Sequence, residues 1–427
     1  MSVSIPTRQR YGRRPGCGLT GLLAAVWLTL ASPHAAATAA EPDAAVAALL
    51  TTLEAEGAAQ GVQPATIKNA LDGFERDAEV VAASSAQPEH ERTVGDYLGL
   101  LVSQSRIENG TARLAEHAAL LDRIKARFGV EPAVLIAVWG IESRYGEAPG
   151  TRSVIRSLAT LALEDARRGA FWRGELVQAL KIVQAGDIGA AAMIGSWAGA
   201  MGHTQFMPST YNRHAVDFDG DGRRDIWASA PDALASAANY LAHSGWQAGE
   251  RWGIEVTLPK GFDFWTLGSG TTRPATFWCE QGIVPAAAFA HWPAFRSDLR
   301  LLLPAGANGP AFLVGRNFTA ILRYNPAVSY ALAVGHLADR VAGEPPFAAA
   351  WPAEKALSRA EREELQRRLA ERGLLATGGV DGVIGSLTRT AIRSYQKDAG
   401  LAADGHPTLD LLQRLRPTDG GGTVVPQ

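Results

Sequence analysis

The sequence predicts a mainly α-helical protein: a large helical region interrupted by a small patch of strands and loops, then a small three-helix domain near the C-terminus. Three observations carry that prediction. Apolar residues recur at helical spacing over much of 41–342. The stretch 250–315 has a different texture, with Trp252, Val256, Phe262, Trp265, Phe277 and Trp278 interleaved with Gly, Pro and Thr, which fits short strands. Between Gly343 and Pro352 the composition is that of a linker, and a compact helical sequence follows it. With 427 residues, 47% of them hydrophobic, the chain has room for two or three domains with real cores.

In order, residues 1–40 read as a secretory signal peptide. Arg8, Arg10, Arg13 and Arg14 precede an apolar run from Leu19 to Ala31, and small residues with an Ala-x-Ala site follow through Ala40. The run is too short to span a bilayer comfortably. Cys17 stands before it, whereas a lipid-bearing Cys would follow it, so an exported soluble protein rather than a lipoprotein is expected. Residues 41–130 show helical spacing in Val46, Leu49, Leu50 and Leu53, with breaks at Gln63-Pro64 and Gln87-Pro88. A segment opens at Thr93, and helix is predicted through Ile107 and Leu114 to Phe128-Gly129. Val154–Ala166 and Phe171–Gln184 are amphipathic, the latter through Leu176, Leu180 and Val183. Asp232 is placed to cap a helix over Ala233–Ala242, closing near Gly245. Helix returns from about Tyr330 to Val341. In the small domain, 357–416, Ser358 and Glu361 form a capping box before Leu365 and Leu369. Thr388, Ala391, Ile392 and Tyr395 mark a second helix, and Leu409, Leu412 and Leu415 a third. The linker is taken as 343–356, and the tail from Pro417 reads as disordered.

The formal charge is −2, or −6 once the four arginines of 1–40 are removed, and no long basic run lies elsewhere. That pattern argues against a nucleic-acid partner. Cys279 is then the single cysteine, so no intrachain disulfide forms. Beside Phe277 and Trp278 it reads as a buried core thiol.

The chemistry starts at Val134-Leu-Ile-Ala-Val-Trp-Gly-Ile-Glu-Ser-Arg-Tyr-Gly146, an apolar run with Pro132 inside its start and Gly146 past its end. Its one acid, Glu142, shares a helix face with Leu135, Val138 and Trp139. A carboxyl among such neighbours loses hydration, so its pKa rises and it can donate a proton near neutrality. The plainer alternative is a structural Glu paired with Arg144 or a more distant arginine.

Asp217-Phe-Asp-Gly-Asp-Gly-Arg-Arg-Asp225 matches an EF-hand calcium loop in its first nine positions. Asp217, Asp219, Asp221 and Asp225 supply oxygens, and Arg223 occupies the position that ligates through its carbonyl. The twelfth position is Ala228 instead of Glu, leaving Asp232 to close the cage around a structural Ca²⁺. The segment Ser196–Tyr211 is rich in Gly and aromatics, with Ser196 and Gln205 able to bind amides or hydroxyls. It reads either as a cleft or as tight helix packing. His203 has no partners at metal-ligand spacing, and Arg167-Arg168 reads as a solvated face or an anion contact. No phosphate loop, dinucleotide fingerprint, Gly-x-Ser-x-Gly or His-Glu-x-x-His is present, and no organic cofactor is expected.

Taken together, Gly140–Gly146, Ser196–Ser209, the Asp-rich loop and Arg323-Tyr-Asn-Pro-Ala-Val-Ser-Tyr330 resemble the membrane-bound lytic murein transglycosylase B family. The small domain is similar to the common peptidoglycan-binding domain, through Leu365-Gln366, Asp381–Gly385, Thr388, Ala391 and Tyr395-Gln396. The resemblance implies a lysozyme-like catalytic core over 41–342, Glu142 as the single catalytic acid, and a glycan cleft lined by Tyr97, Ser196, Gln205, Phe206, Tyr324, Asn325 and Tyr330. It implies Arg167 and Arg168 near the peptide-bearing side of the cleft, peptidoglycan glycan strands as the partner, and a periplasmic location. Other cell-wall enzymes are further candidate partners. One carboxyl suits a lyase that makes 1,6-anhydro ends, since a two-carboxylate glycosidase would need a second acid. A hydrolytic muramidase and a non-catalytic wall-binding scaffold are the competing expectations.

Overall fold

The computed structural model describes residues 44–85, 92–267, 270–286 and 295–416. The expected signal peptide, the Gln87-Pro88 break and the C-terminal tail lie outside these. Helices dominate. Three lead, α1 (Ala44–Ala58) and the shorter α2 (Pro64–Ala70) and α3 (Ala78–Ser85). The continuous helix expected from Thr93 to Phe128 is three: α4 (Val94–Leu101), α5 (Gln104–Glu116) and α6 (Ala118–Phe128). Thr93 and Ser103 side chains cap the first two, and Gly129 closes the third in the left-handed region, at φ 73°.

The apolar run forms α7 (Pro132–Ser143), buried along almost its whole length. It ends three residues before Gly146, with Arg144 as its left-handed cap. A two-residue strand, β1 (Arg152–Ser153), leads into α8 (Val154–Glu164) and α9 (Gly169–Ala185), which pack on α1, α2 and α3. Then come β2 (Ile194–Gly195), antiparallel to β1, α10 (Pro208–His214) and α11 (Ala230–His243). Ser229, not Asp232, caps α11, accepting from the Asp232 amide. Asp232 lies one turn further in, and its carboxylate serves the preceding loop instead.

The predicted strand region is a five-stranded antiparallel sheet: β3 (Gly253–Thr257), β4 (Thr272–Arg273), β5 (Val284–Pro285), β6 (Leu299–Leu302) and β7 (Ala311–Val314), in the order β4-β6-β7-β3-β5. Between strands lie α12 (Phe264–Leu267) and α13 (Ala275–Glu280). Alternation splits its faces. Ile254, Val256, Leu299, Leu301 and Leu313 pack on Trp278 of α13, while Phe312 and Val314 join the helical core. Cys279 is exposed: Trp278 takes the inward face of α13, and the next residue, about 100° round the helix, faces out.

Helix α14 (Arg316–Tyr324), not foreseen from the sequence, precedes α15 (Val328–Val341). Together with α7, α15 forms the centre of the largest core. The linker has no regular structure, yet it is docked. Phe347 stacks on His336, with ring centroids 3.7 Å apart, and meets Phe312 and Trp252. The buried Glu255 carboxylate accepts from the Ala348 and Ala349 amides at 2.7 and 2.8 Å. The C-terminal part comprises α16 (Arg359–Glu371), α17 (Ser386–Asp398) and α18 (Leu409–Leu415) around Leu365, Leu369, Ile392 and Leu412. The capping box of Ser358 and Glu361 is formed. Asp404 accepts from the Ala307 amide at 2.7 Å, and Arg393 donates to the Phe264 carbonyl at 2.9 Å. These bonds tie the small helical unit to the sheet region.

Candidate active site

Glu142 lies in the last turn of α7, and the turn just beyond it fixes its direction. Arg144 and Tyr145 both adopt positive φ, 50° and 61°. Two successive non-glycine residues there cost on the order of 1–3 kcal/mol each, and such strain persists only where surroundings hold it. Here they do. Tyr145 is buried under Gly140, where an added Cβ would stand 2.6 Å from its ring, and its hydroxyl donates to the Arg106 carbonyl at 2.7 Å. Ser143, buried, donates to the His203 carbonyl at 2.8 Å and accepts from the Gly146 amide at 3.1 Å. The acid's helix end is thereby tied to the glycine-rich segment.

Glu142 Oε1 accepts from the Tyr330 hydroxyl at 2.5 Å. Burial pushes the Glu142 carboxyl up to about 7, against the pull of that hydrogen bond. Desolvation wins because a single neutral donor replaces several waters. The alternative of an arginine partner is not what the structure has: among the described residues, Glu142 makes no ion pair. Nor does a second carboxylate contribute to its shift. Its charge is felt by three tyrosines. The Tyr324 and Tyr330 hydroxyls are held well above 10 by burial and by Glu142, and that of Tyr97 is raised for the same two reasons.

Tyr97, Tyr324 and Tyr330 are therefore brought together around Glu142. The Tyr324 and Tyr330 rings are near-parallel, at 15° with centroids 6.4 Å apart, and the Tyr324 hydroxyl donates to the Thr204 carbonyl at 2.7 Å. Phe206 is buried and packs against Tyr324 and Tyr240, so it supports Tyr324 from behind. Gln205, itself at φ 50°, donates to the Pro149 and Gly202 carbonyls. Ser196 accepts from the Ala200 amide at 3.0 Å, and Asn325 from the Ala327 amide at 3.1 Å. These three side chains hold nearby backbone in place. Arg168 lies at the start of α9 with its guanidinium over Trp172 and Phe171, and Arg167 is beside it, both exposed. His203 stacks on Trp139, and burial lowers its pKa.

The Asp-rich loop gathers four carboxylates. Oxygens of Asp217, Asp219, Asp221 and Asp232 lie within 4.8 Å of one another, a hard-oxygen set suited to Ca²⁺. Asp225 stands outside this group, because its Oδ1 accepts from the Trp227 and Ala228 amides. Arg223 points its side chain at Asp221. The buried Asp232 carboxylate accepts three amides, from Phe218, Asp219 and Asp225, and so holds the two ends of the loop together. The loop's exit reaches the glycine-rich segment and β2: the Ile226 carbonyl accepts from the His203 amide at 2.9 Å, and Trp227 donates to the Ile194 carbonyl at 3.0 Å.

Residues 45–339 match the family described as the transglycosylase SLT domain, more than half of the chain. The chain belongs to the transglycosylase SLT family. Residues 358–415 match the putative peptidoglycan binding domain. The structure is similar to SltB3 from Pseudomonas aeruginosa, solved in complex with NAG-anhNAM-pentapeptide: 48% identity, 87% of this chain and 99% of that chain covered, TM-score 0.82. Membrane-bound lytic murein transglycosylase B of Escherichia coli (strain K12) is 30% identical over 251 residues, 58% of this chain. That match spans just under two thirds of the relative's own length, 66%. The Escherichia coli lytic transglycosylase Slt35, solved in complex with calcium, has 27% identity, coverage of 70% and 93%, and TM-score 0.58.

Within the SLT domain, several supports of the site had no sequence signal. Ser143 and Tyr145 are local to Glu142, but their partners, His203 and Arg106, lie 60 and 39 residues away. Tyr240, which packs its ring against Tyr324 at 5.0 Å, sits in a helix whose pattern is that of ordinary core.

Proposed function

We propose that this chain is a lytic transglycosylase that cleaves the β-1,4 bond between N-acetylmuramic acid and N-acetylglucosamine of peptidoglycan, leaving 1,6-anhydromuramyl ends. The observation that carries this reading is the carboxyl of Glu142, held by the Tyr330 hydroxyl and raised by burial to about 7, with no second carboxylate acting on it among the described residues. Protonated Glu142 gives its proton to the glycosidic oxygen as the bond to C1 breaks. The resulting carboxylate takes the proton of the sugar's own C6 hydroxyl, whose oxygen closes on C1. Acid and base are one group used twice, so atoms balance without a protein nucleophile. In this reading the substrate's own acetamido group steadies C1. Trp139 of the helix that bears the acid meets Tyr145 edge-on just beyond its end, an apolar setting that favours the exclusion of water that a C6 product requires. Tyr97, Tyr324 and Tyr330 offer rings and hydroxyls to the sugars, Ser196, Gln205, Phe206 and Asn325 set the cleft's shape, and Arg167 and Arg168 suit an anionic stem peptide.

In this reading Asp217, Asp219, Asp221 and Asp232 hold a structural Ca²⁺, with the Arg223 carbonyl completing the set, and the ion stiffens the loop that supports the cleft. The C-terminal unit binds the wall. The leading arginines and apolar run direct export to the periplasm, and among the described residues no helix is long and apolar enough to cross a membrane. Product mass on purified peptidoglycan tests the reaction, since anhydro ends are lighter by one water. Products with reducing ends alone would make the enzyme a hydrolase, and unchanged turnover by Glu142→Gln would make the cleft a mere grip.

A further inference from the structure

Far from Glu142 in sequence, a polar groove of about 380 Å³ opens where the sheet meets the start of α14. Arg300 and Arg316 face it, with Thr272, Thr319 and Asp298 at the edges. The register explains how it forms. Arg300 of β6 pairs with Thr272 of β4 on one side and Val314 of β7 on the other, so these side chains share the face that further along joins the helical core. At the groove's end, Gly315 caps α14 without a side chain to accept from the helix's first amides, so the positive end of α14 opens there.

Charge makes the groove unusual. Arg296, on its wall, is already matched by the buried Glu250. The Arg300 side chain is half-buried and that of Arg316 exposed, and among the described residues neither guanidinium forms an ion pair or a hydrogen bond. Burial alone pulls the Arg300 guanidinium below its usual range. A desolvated guanidinium without a counter-ion is costly, and an anion that enters relieves that cost. Among the described residues that line the groove, Asp298 is the one carboxylate, and it is exposed.

We propose that this groove is a second oxyanion site for the free carboxylates of the peptidoglycan stem peptide, apart from Arg167 and Arg168, gripped by Arg300, Arg316 and the first turn of α14. The inference rests on the transglycosylase reading and extends it. Helix α14 runs from Arg316 in the groove to Tyr324 beside Glu142, a rise of roughly 12 Å. A stem pentapeptide extends to roughly 17 Å, longer than that rise. A planar carboxylate fits paired guanidinium donors better than a neutral end does.

The test is calorimetric titration of the full chain, at low salt, with a stem pentapeptide in its free-acid form and in its fully amidated form. The free acid should bind, the amide about tenfold more weakly or not at all, and Arg300→Gln and Arg316→Gln should each weaken the free acid about tenfold. Asp298→Asn, which removes the opposing charge at an exposed position, should tighten it. Equal binding of acid and amide, wild-type affinity in both arginine variants, or looser binding in Asp298→Asn overturns the proposal. So does the absence of any heat with the free acid. Wild-type turnover of peptide-free glycan strands examines the catalytic reading separately, so the two can fail independently.

Discussion

Glu142→Gln should stabilise the protein at pH 8 and do almost nothing at pH 4. In the folded chain the carboxyl titrates at about 7, against 4.5 for an ordinary glutamate. Between those values the folded state holds a proton that the unfolded state has released, so stability falls as pH rises from 4.5 and levels off above 7. The gap corresponds to about 3 kcal/mol. Gln removes the titration while keeping an oxygen that accepts from Tyr330. Urea unfolding of wild type and variant, followed by tryptophan fluorescence, should give a difference of about 3 kcal/mol at pH 8 and a few tenths at pH 4. A difference independent of pH would mean that Glu142 is not desolvated in the free protein, and the argument for its acidity would fall with it.

Tyr330→Phe removes a hydrogen bond that favours the ionised carboxyl. The alkaline limb of the turnover profile, near pH 7 in wild type, should therefore move upward, and an unmoved limb would show the bond to be incidental. Chelation of calcium should lower the melting temperature by roughly 5–10 °C if the ion is held at about 100 times its Kd. Asp219→Ala should melt at the lower value with or without chelator, whereas a silent chelator would count against the site. Phe347→Ala should cost about 2 kcal/mol, from the ring packing with His336 and Phe312. It should also speed proteolytic cutting between residues 343 and 357, and unchanged protection would show that Glu255 alone holds the linker.

How much of the fold was legible in the sequence depends on the range of the forces involved. The apolar run around Glu142, the capping box of Ser358 and Glu361 and the strand texture are local patterns, and each appears in the structure. Contacts over long separations were not legible from pattern. Tyr330 meets Glu142 across 188 residues, and only family resemblance pointed to it. Local signals also misled where two residues competed for one role. Gly146 looked like the cap of α7, but Arg144 takes the left-handed position because Tyr145 is locked beneath Gly140. Asp232 looked like a helix cap, but Ser229 does that work while Asp232 gathers three loop amides. The linker read as a spacer by composition, and its docking depends on Glu255 and His336, residues with no sequence relation to it.

The balance at Glu142 explains why burial and Tyr330 are both needed. A group that must act first as acid and then as base serves best when neither form is far below the other in free energy at the working pH. Burial by itself would lift the carboxyl further above neutrality, giving a ready donor whose conjugate base is short-lived. More hydrogen bonds would return it toward 4.5 and leave it ionised before substrate arrived. One tyrosine hydroxyl at 2.5 Å against desolvation by burial sets it at about 7, where each form costs little to reach from the other. A second carboxylate beside it would break this balance by repelling the ionised form, so the single acid is a condition of the proposed chemistry.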